Sequence, residues 1–447
     1  MIPDSQSSAT NPYIAGGPIR DPHNFFGRAD ALRTIFGRLS QGGSTSLVGQ
    51  RRSGKTSILY HLLTDTAQAA FSFNAEDFLL VYLDPQLGIQ DPLEFYRELI
   101  ETLARQVPSL AHESGGEVSQ RRALTVIRQL QPRCLVLLVD EFERLISNDN
   151  FPMDFFSFLR GLSQVNVCFV TTTAQRLCDC FWGEFKGSPL DNVFSTEYLS
   201  SWTEPEFDHF LAETAKRSGA PMLTYTNEIS KLAGRFPVYV QMACSLYFEA
   251  WRQRGEVSPQ DQVAIKREFA EANWPYFERI WSKYLEPEER ATLSTLSRGG
   301  AIADESRLGS LTQKGYVVDG RVFSSAFMDF VTRQESEVVV VARKEPRTEI
   351  IRVDEKAGDV WVSGKRIPLL TNLEYKLLLC LYHNANCICD KYDIVEAVWT
   401  GDYIEKVDDS RIAKLVSRLR EHVEPDPENP CYVITVHGRG YKLTLEE

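Results

Sequence analysis

The stretch Gly49-Gln50-Arg51-Arg52-Ser53-Gly54-Lys55-Thr56 constrains the chain more than any other. It has the pattern G-x-x-x-x-G-K-[ST], with strand-like Ser46-Leu47-Val48 before it and helix-like Ser57 to Leu63 after it. A loop in that setting offers a row of backbone N–H groups at the positive end of a helix, which suits a chain of phosphates. The expected cradle is Gly49, Gln50, Arg51, Arg52, Ser53, Gly54, Lys55, Thr56 and Ser57. Lys55 is placed to reach the β- and γ-phosphates, and the Thr56 hydroxyl to hold Mg²⁺. A chance match in a Gly/Ser-rich loop is the competing reading, and the flanking strand and helix disfavour it. ATP or ADP with Mg²⁺ is the expected ligand.

Downstream, Phe78 to Leu83 and Cys134 to Val139 are continuous apolar runs, the pattern of strands buried on both faces of a parallel sheet. Between them, Leu93, Tyr96, Leu99, Ile100 and Leu103 recur at helical spacing. The second run ends in Asp140-Glu141. Beside a phosphate-binding loop, the carboxyl end of such a strand is where the metal and the attacking water sit. Asp140 is therefore the expected metal ligand with Thr56, while Glu141 and Lys55 are the catalytic candidates, Glu141 as base. A further strand, Val167 to Val170, leads into Thr171-Thr172-Thr173-Ala174-Gln175-Arg176. Thr172 and Arg176 are candidate γ-phosphate sensors there, although polar residues serve equally as turn formers. Arg28, in Phe26-Gly27-Arg28, reads as a base-side contact on the nucleotide, with plain packing as the alternative.

A chain of 447 residues exceeds a single core, so several domains are expected. Residues 1–20, rich in Ser, Pro, Gly and Asn, read as a flexible tail. Strands alternating with helices define a doubly wound α/β core over 21–200. From Trp202 the pattern turns helical, giving a lid over 201–274 with Pro237 at a helix start. Residues 275–335 read as short helices and a hairpin around Asp319-Gly320, a first winged helix with few cations, suited to packing or regulation. Residues 336–347 read as a linker with a strand-like centre.

Residues 348–447 form a second winged helix. Thr371 and Glu374 make a capping box. The segment 408–423 carries Ile412, Leu415, Val416, Leu419 and Val423 on one stripe and Arg411, Lys414 and Arg418 on another. A hairpin comes next, with Thr435 on one strand and Arg439 at its tip. A helix with a buried and a basic face beside a basic-tipped wing suits double-stranded DNA. A solvated charge face is the competing reading, since acids outnumber cations over these residues. The formal charge of −12 argues against indiscriminate coating of nucleic acid but leaves room for a local basic footprint. No apolar run approaches the roughly 20 residues that span a bilayer. The first residues lack signal-peptide character, and the nine cysteines include no C-x-x-C pair. A cytoplasmic chain with reduced thiols and no membrane partner is expected.

The stretch Leu370 to Leu378, Val398-Trp399, Val407 to Arg420 and Ile434 to Leu443 closely resembles the OmpR/PhoB-type winged-helix DNA-binding domain. The resemblance makes 408–423 the recognition helix and places Thr400 to Lys406 where such domains contact RNA polymerase. No receiver domain precedes it here. Phe26-Gly27-Arg28, the phosphate loop, Asp140-Glu141 and Gly234-Arg235-Phe236-Pro237 instead resemble a STAND-type P-loop NTPase related to archaeal-type and origin-recognition AAA ATPases. That resemblance implies a Pro237 packed near the adenine. It also implies a closed ADP-bound monomer that forms homo-oligomers with ATP and a trigger, and slow hydrolysis used as a switch.

The expected function is an ATP-dependent switch acting as a DNA-binding transcription regulator. A DNA-remodelling or loading ATPase of a mobile-element or defence system is the alternative. Arg160 and Arg176 are candidate arginine fingers. A DNA-binding protein with a degenerate nucleotide site is disfavoured by the presence of both Lys55 and Glu141.

Overall fold

The computed structural model describes residues 10–14, 16–181, 190–300, 302, 304–343, 351–354, 358–385, 388–389, 391–399, 409–436 and 440–444. Two compact units divide the chain, Met1–Ser336 and Glu337–Glu447.

The first unit is built on a five-stranded parallel sheet of β1 (Ser44–Val48), β2 (Phe78–Leu83), β3 (Cys134–Val139), β4 (Val167–Thr173) and β5 (Phe194–Tyr198), in the order β2-β3-β4-β1-β5. Parallel neighbours need helical crossovers, and these cover both faces. On one face lie α1 (Ala29–Ser40) and α2 (Lys55–Leu62), where Ile35, Leu39, Ile58 and Leu62 pack on Leu47, Val136 and Val170. On the other lie α3 (Pro92–Gln106), α4 (Gln120–Arg128) and α5 (Met153–Leu162), where Phe95, Leu99, Val126 and Phe155 pack on Val81, Leu137 and Phe169. β5 has no counterpart among the apolar runs of the sequence. It is an edge strand, Phe-Ser-Thr-Glu-Tyr, half-buried to exposed, and an edge strand needs no apolar run.

The α6 (Glu204–Ser218), α7 (Thr226–Ala233), α8 (Pro237–Arg254) and α9 (Pro259–Arg279) helices come next. A π-helical turn, Ile280–Tyr284, leads to α10 (Pro287–Ser297), α11 (Glu305–Gln313), the hairpin of β6 (Val317–Val318) and β7 (Arg321–Val322), and α12 (Ser325–Arg343). Lid and first winged helix share one aromatic core: Phe236, Tyr239, Phe277, Phe323 and Phe327 meet in it. Gly234, at φ 65°, shows why the lid motif needs glycine, because a Cβ there would lie 2.5 Å from the Phe323 carbonyl oxygen.

Two expectations are corrected. Of the expected tail 1–20, residues 1–9 and 15 lie outside the described residues, and 10–14 and 16–20 are not loose, for Tyr13 is buried against Phe210 and Phe248. Asn11 Nδ2 donates to Ser245 Oγ and Glu249 Oε1, both at 2.9 Å, and the Ile14 N–H donates to Gln241 Oε1 at 3.0 Å. The composition of such a strap resembles a tail because three anchors suffice to hold it. Of the expected linker 336–347, residues 336–343 are helical and continue α12 rather than being strand-like, and 344–347 lie outside the described residues. The β-branched run Val338 to Val341 carries only a weak local preference, which helix continuation overrides.

In the second unit the antiparallel strands β8 (Ile351–Asp354), β9 (Asp359–Val362) and β10 (Lys365–Arg366) precede α13 (Asn372–His383), β11 (Ile388–Cys389), α14 (Lys391–Val398) and α15 (Asp409–Val423). The hairpin of β12 (Val433–Val436) and β13 (Gly440–Leu443) closes it. Ile412, Leu415, Val416, Leu419 and Val423 enter its core with Leu377, Leu381 and Val433.

Candidate functional site

The phosphate loop leaves β1 through Gly49, whose N–H donates to the Thr173 carbonyl at 3.1 Å. A Cβ on Gly49 would lie 2.5 Å from Ser53 Oγ and 3.3 Å from the Leu199 carbonyl oxygen, so a larger residue would crowd the return of the loop. Arg52 and Gly54 take left-handed φ angles of 68° and 95°, and Gly54 caps α2 without a side-chain acceptor for its first N–H groups. Those groups remain available to an anion. Ser53 Oγ and Gln50 Oε1 are buried without a hydrogen-bond partner among the described residues, which fits a polar occupant.

Lys55 Nζ, buried, donates to the carbonyls of Gly49 at 2.6 Å and Gln50 at 3.1 Å. Burial pulls its pKa down, against the pull of Glu143, Asp140 and Glu141. The Thr56 hydroxyl donates to Asp140 Oδ2 at 2.7 Å, although 84 residues separate the two in sequence. Tyr82 donates to the same oxygen at 3.2 Å, and the Thr172 hydroxyl donates to Asp140 Oδ1. A hydroxyl and one carboxylate at the edge of a phosphate loop fit Mg²⁺, which takes few protein ligands and completes its shell with phosphate and water. Thr172, a sensor candidate, thus contacts the metal candidate and also accepts the Glu141 N–H at 2.8 Å.

Glu141 sits in the left-handed region at φ 42°, and its carboxylate is ion-paired with Arg144 Nε. The sequence pattern had not singled out that pair. Nor did it single out Glu143, which accepts the Ala174 N–H through Oε1 at 3.0 Å while its Oε2 is buried without a hydrogen-bond partner among the described residues. Burial raises the Glu143 pKa, and Lys55 opposes the rise. The Glu-x-x-Arg spacing and the second acid after Asp140 were the available signals.

Arg28 is buried, at φ 67°. Its guanidinium donates to the Ser53 carbonyl at 3.0 Å and its N–H to Glu206 of the lid. Burial lowers its pKa to about 10, with Glu206 opposing. The structure thus joins Arg28 to the phosphate loop and the lid. Ser57 Oγ accepts the Ile19 N–H at 3.0 Å, so the N-terminal strap reaches α2 as well. Pro237 stands at the first position of α8, the helix to which the strap is bound. Arg176 is half-exposed and forms two bonds to Asp179. It lines a cleft of about 890 Å³ between the strand ends and the first winged helix, bordered also by Gln50, Tyr198, Tyr284 and Lys314. Arg160 is exposed on α5, away from the loop in sequence and not among the residues lining that cleft.

In the second unit Arg411, Lys414 and Arg418 are exposed along α15. Thr435 accepts from Arg420 at 2.8 Å. Arg420 also donates twice to the Val433 carbonyl, at 2.9 and 2.6 Å, and so ties the wing to the helix. Glu424 receives the N–H groups of Cys431, Tyr432 and Val433 on the same hairpin. Arg439 and the loop Thr400 to Lys406 lie outside the described residues. Among the described residues no helix is long and apolar enough to cross a membrane.

The family model described as Novel STAND NTPase 2 matches residues 43–301, and the one described as Transcriptional regulatory protein, C terminal, matches residues 364–443. The uncharacterized transcriptional regulatory protein YrkP of Bacillus subtilis is 35% identical over 93 residues, 21% of this chain and 39% of its own length. The sensory transduction protein RegX3 of Mycolicibacterium smegmatis is 36% identical over 93 residues, 21% of this chain and 40% of its own. The chain spans about two fifths of the length of the curated relatives it matches. Among solved structures, the Walker-type ATPase of Pyrococcus abyssi aligns with 70% of this chain and 98% of its own, at 15% identity and a TM-score of 0.47.

Proposed function

The chain belongs to the Novel STAND NTPase 2 family, and from that premise we propose that it is an ATP-dependent switch that regulates transcription by binding DNA. One observation carries the nucleotide half: Thr56 and Asp140 meet at 2.7 Å behind a loop whose lysine is buried among three acids. Mg²⁺ held there would neutralise phosphate charge. Gly49 to Ser57 bind the phosphates, while Arg28, the strap and Pro237 border the base side. Glu141 orients water, and its pairing with Arg144 keeps turnover slow, which favours a switch over a DNA-loading machine. Arg411, Lys414 and Arg418 meet the duplex, and their exposure in a domain matched to transcriptional regulators supports that role. Triphosphate-bound chains associate, and several readers on repeated half-sites gain effective concentration.

The test is mass in solution with ADP and with a non-hydrolysable ATP analogue, each with and without DNA. Larger assemblies with the analogue, bound more tightly to DNA, are expected. Mass and DNA affinity indifferent to nucleotide in the wild-type chain would sink the switch.

A further inference from the structure

Tyr284 ends the π-helical turn between α9 and α10, and single π turns inside helical runs are frequent at functional sites. It lines two cavities, each bordered by residues of the phosphate loop. The larger is the cleft bordered by Gly49 and Gln50. The smaller is closed by Arg51, Arg52, Tyr239, Tyr276 and Arg279, with the Arg52 guanidinium 3.9 Å from the centre of the Tyr276 ring. Burial raises the Tyr284 pKa. Arg279 and Arg51 oppose the rise, and Glu143 and Glu141 add to it. The larger cleft that Tyr284 lines is bordered also by Gln50 of the phosphate loop and by Ala174, Gln175 and Arg176 after β4, the end of the sheet at which the terminal phosphate of a bound triphosphate lies.

The segment after Tyr284 can transmit a change. Two residues on, Glu286 caps α10 in a reciprocal box with Glu289. Glu289 in turn is bound to Lys314 at 2.7 and 2.8 Å and to Ser310 of α11 at 2.8 Å. Trp281, on the same turn, packs edge-on against Phe330 of α12 at 6.3 Å. Movement of Tyr284 thus reaches every helix of the first winged helix through packed or bonded neighbours.

We propose that Tyr284 is a terminal-phosphate reader: its phenolic O–H donates to the γ-phosphate of a bound nucleoside triphosphate, distinguishes it from a diphosphate, and passes the difference to the first winged helix. This rests on the nucleotide-switch reading. The experiment titrates the full-length chain with Mg-ADP and with a Mg-bound non-hydrolysable triphosphate analogue by calorimetry. Hydrogen exchange is followed over 276–297. Tyr284→Phe, which keeps the ring and its packing, is expected to lower the ratio of analogue to ADP affinity about tenfold, the cost of one hydrogen bond to a charged acceptor. It should also erase the exchange difference between the two nucleotides. Tyr284→His, which returns a donor on a ring, should recover most of that ratio. An unchanged ratio and unchanged exchange in Tyr284→Phe would overturn the reader while leaving the switch intact. Wild-type chain that binds neither nucleotide, like Lys55→Ala, would remove both.

Discussion

The phosphate loop and the helix α15 both present basic residues, yet they hold them in opposite ways. Lys55 and Arg28 are buried and bonded to carbonyls of the loop itself, whereas Arg411, Lys414 and Arg418 stand exposed. A buried cation is costly unless its partners are supplied by the fold, so the first region is specific about what replaces those partners. An exposed cation costs the fold little and binds by charge and reach. On the proposed reading, one region discriminates ligands and the other meets a polyanion.

The sharpest way to break this contrast is Lys55→Ala, which should weaken nucleotide binding on the order of a hundredfold or more, measured by calorimetry. The DNA affinity of this variant should then be the same with ADP, with triphosphate or with neither. Arg418→Ala should reduce DNA affinity about tenfold and lower the slope of log affinity against log salt by about one. Arg420→Ala sharpens the point, because this neighbouring arginine ties the wing and its loss should lower the melting temperature of the second unit. Equal melting shifts for Arg418→Ala and Arg420→Ala would erase the distinction between them.

Arg144→Ala releases the Glu141 carboxylate and should raise hydrolysis several-fold, read as phosphate release at saturating ATP. A drop in rate would mean that Arg144 orients Glu141 for the reaction instead of restraining it. The smallest effect concerns pH. Burial would raise the pKa of Glu289, but Lys314, the Glu286 N–H and Ser310 override it and hold the group below its ordinary 4.5. A depressed carboxylate contributes stability above the unfolded pKa and loses it as pH falls through the folded one. Stability should therefore drop below about pH 4.5, and Lys314→Met should flatten that part of the melting-temperature profile.

Local pattern carried much of this molecule. The buried runs at β2, β3 and β4, the loop pattern of Gly49 to Thr56 and the stripe of α15 are contiguous, and their periodicity reports burial directly. The acid pair at the end of β3 was legible because strand and loop together define where phosphates sit. Edge strand β5 was not, since it is half-exposed and lacks an apolar run.

The sequence by itself therefore determined a phosphate-binding α/β core and a basic helix on a winged-helix scaffold. Tertiary structure alone decided which polar groups face one another. Arg28 meets Glu206 across 178 residues, Ile14 meets Gln241 across 227, and Tyr284 comes to line one cleft with Gln50 of the phosphate loop. Helix and strand periods describe neighbours a few residues apart. Contacts between distant segments depend on how whole elements pack, and no local spacing encodes them.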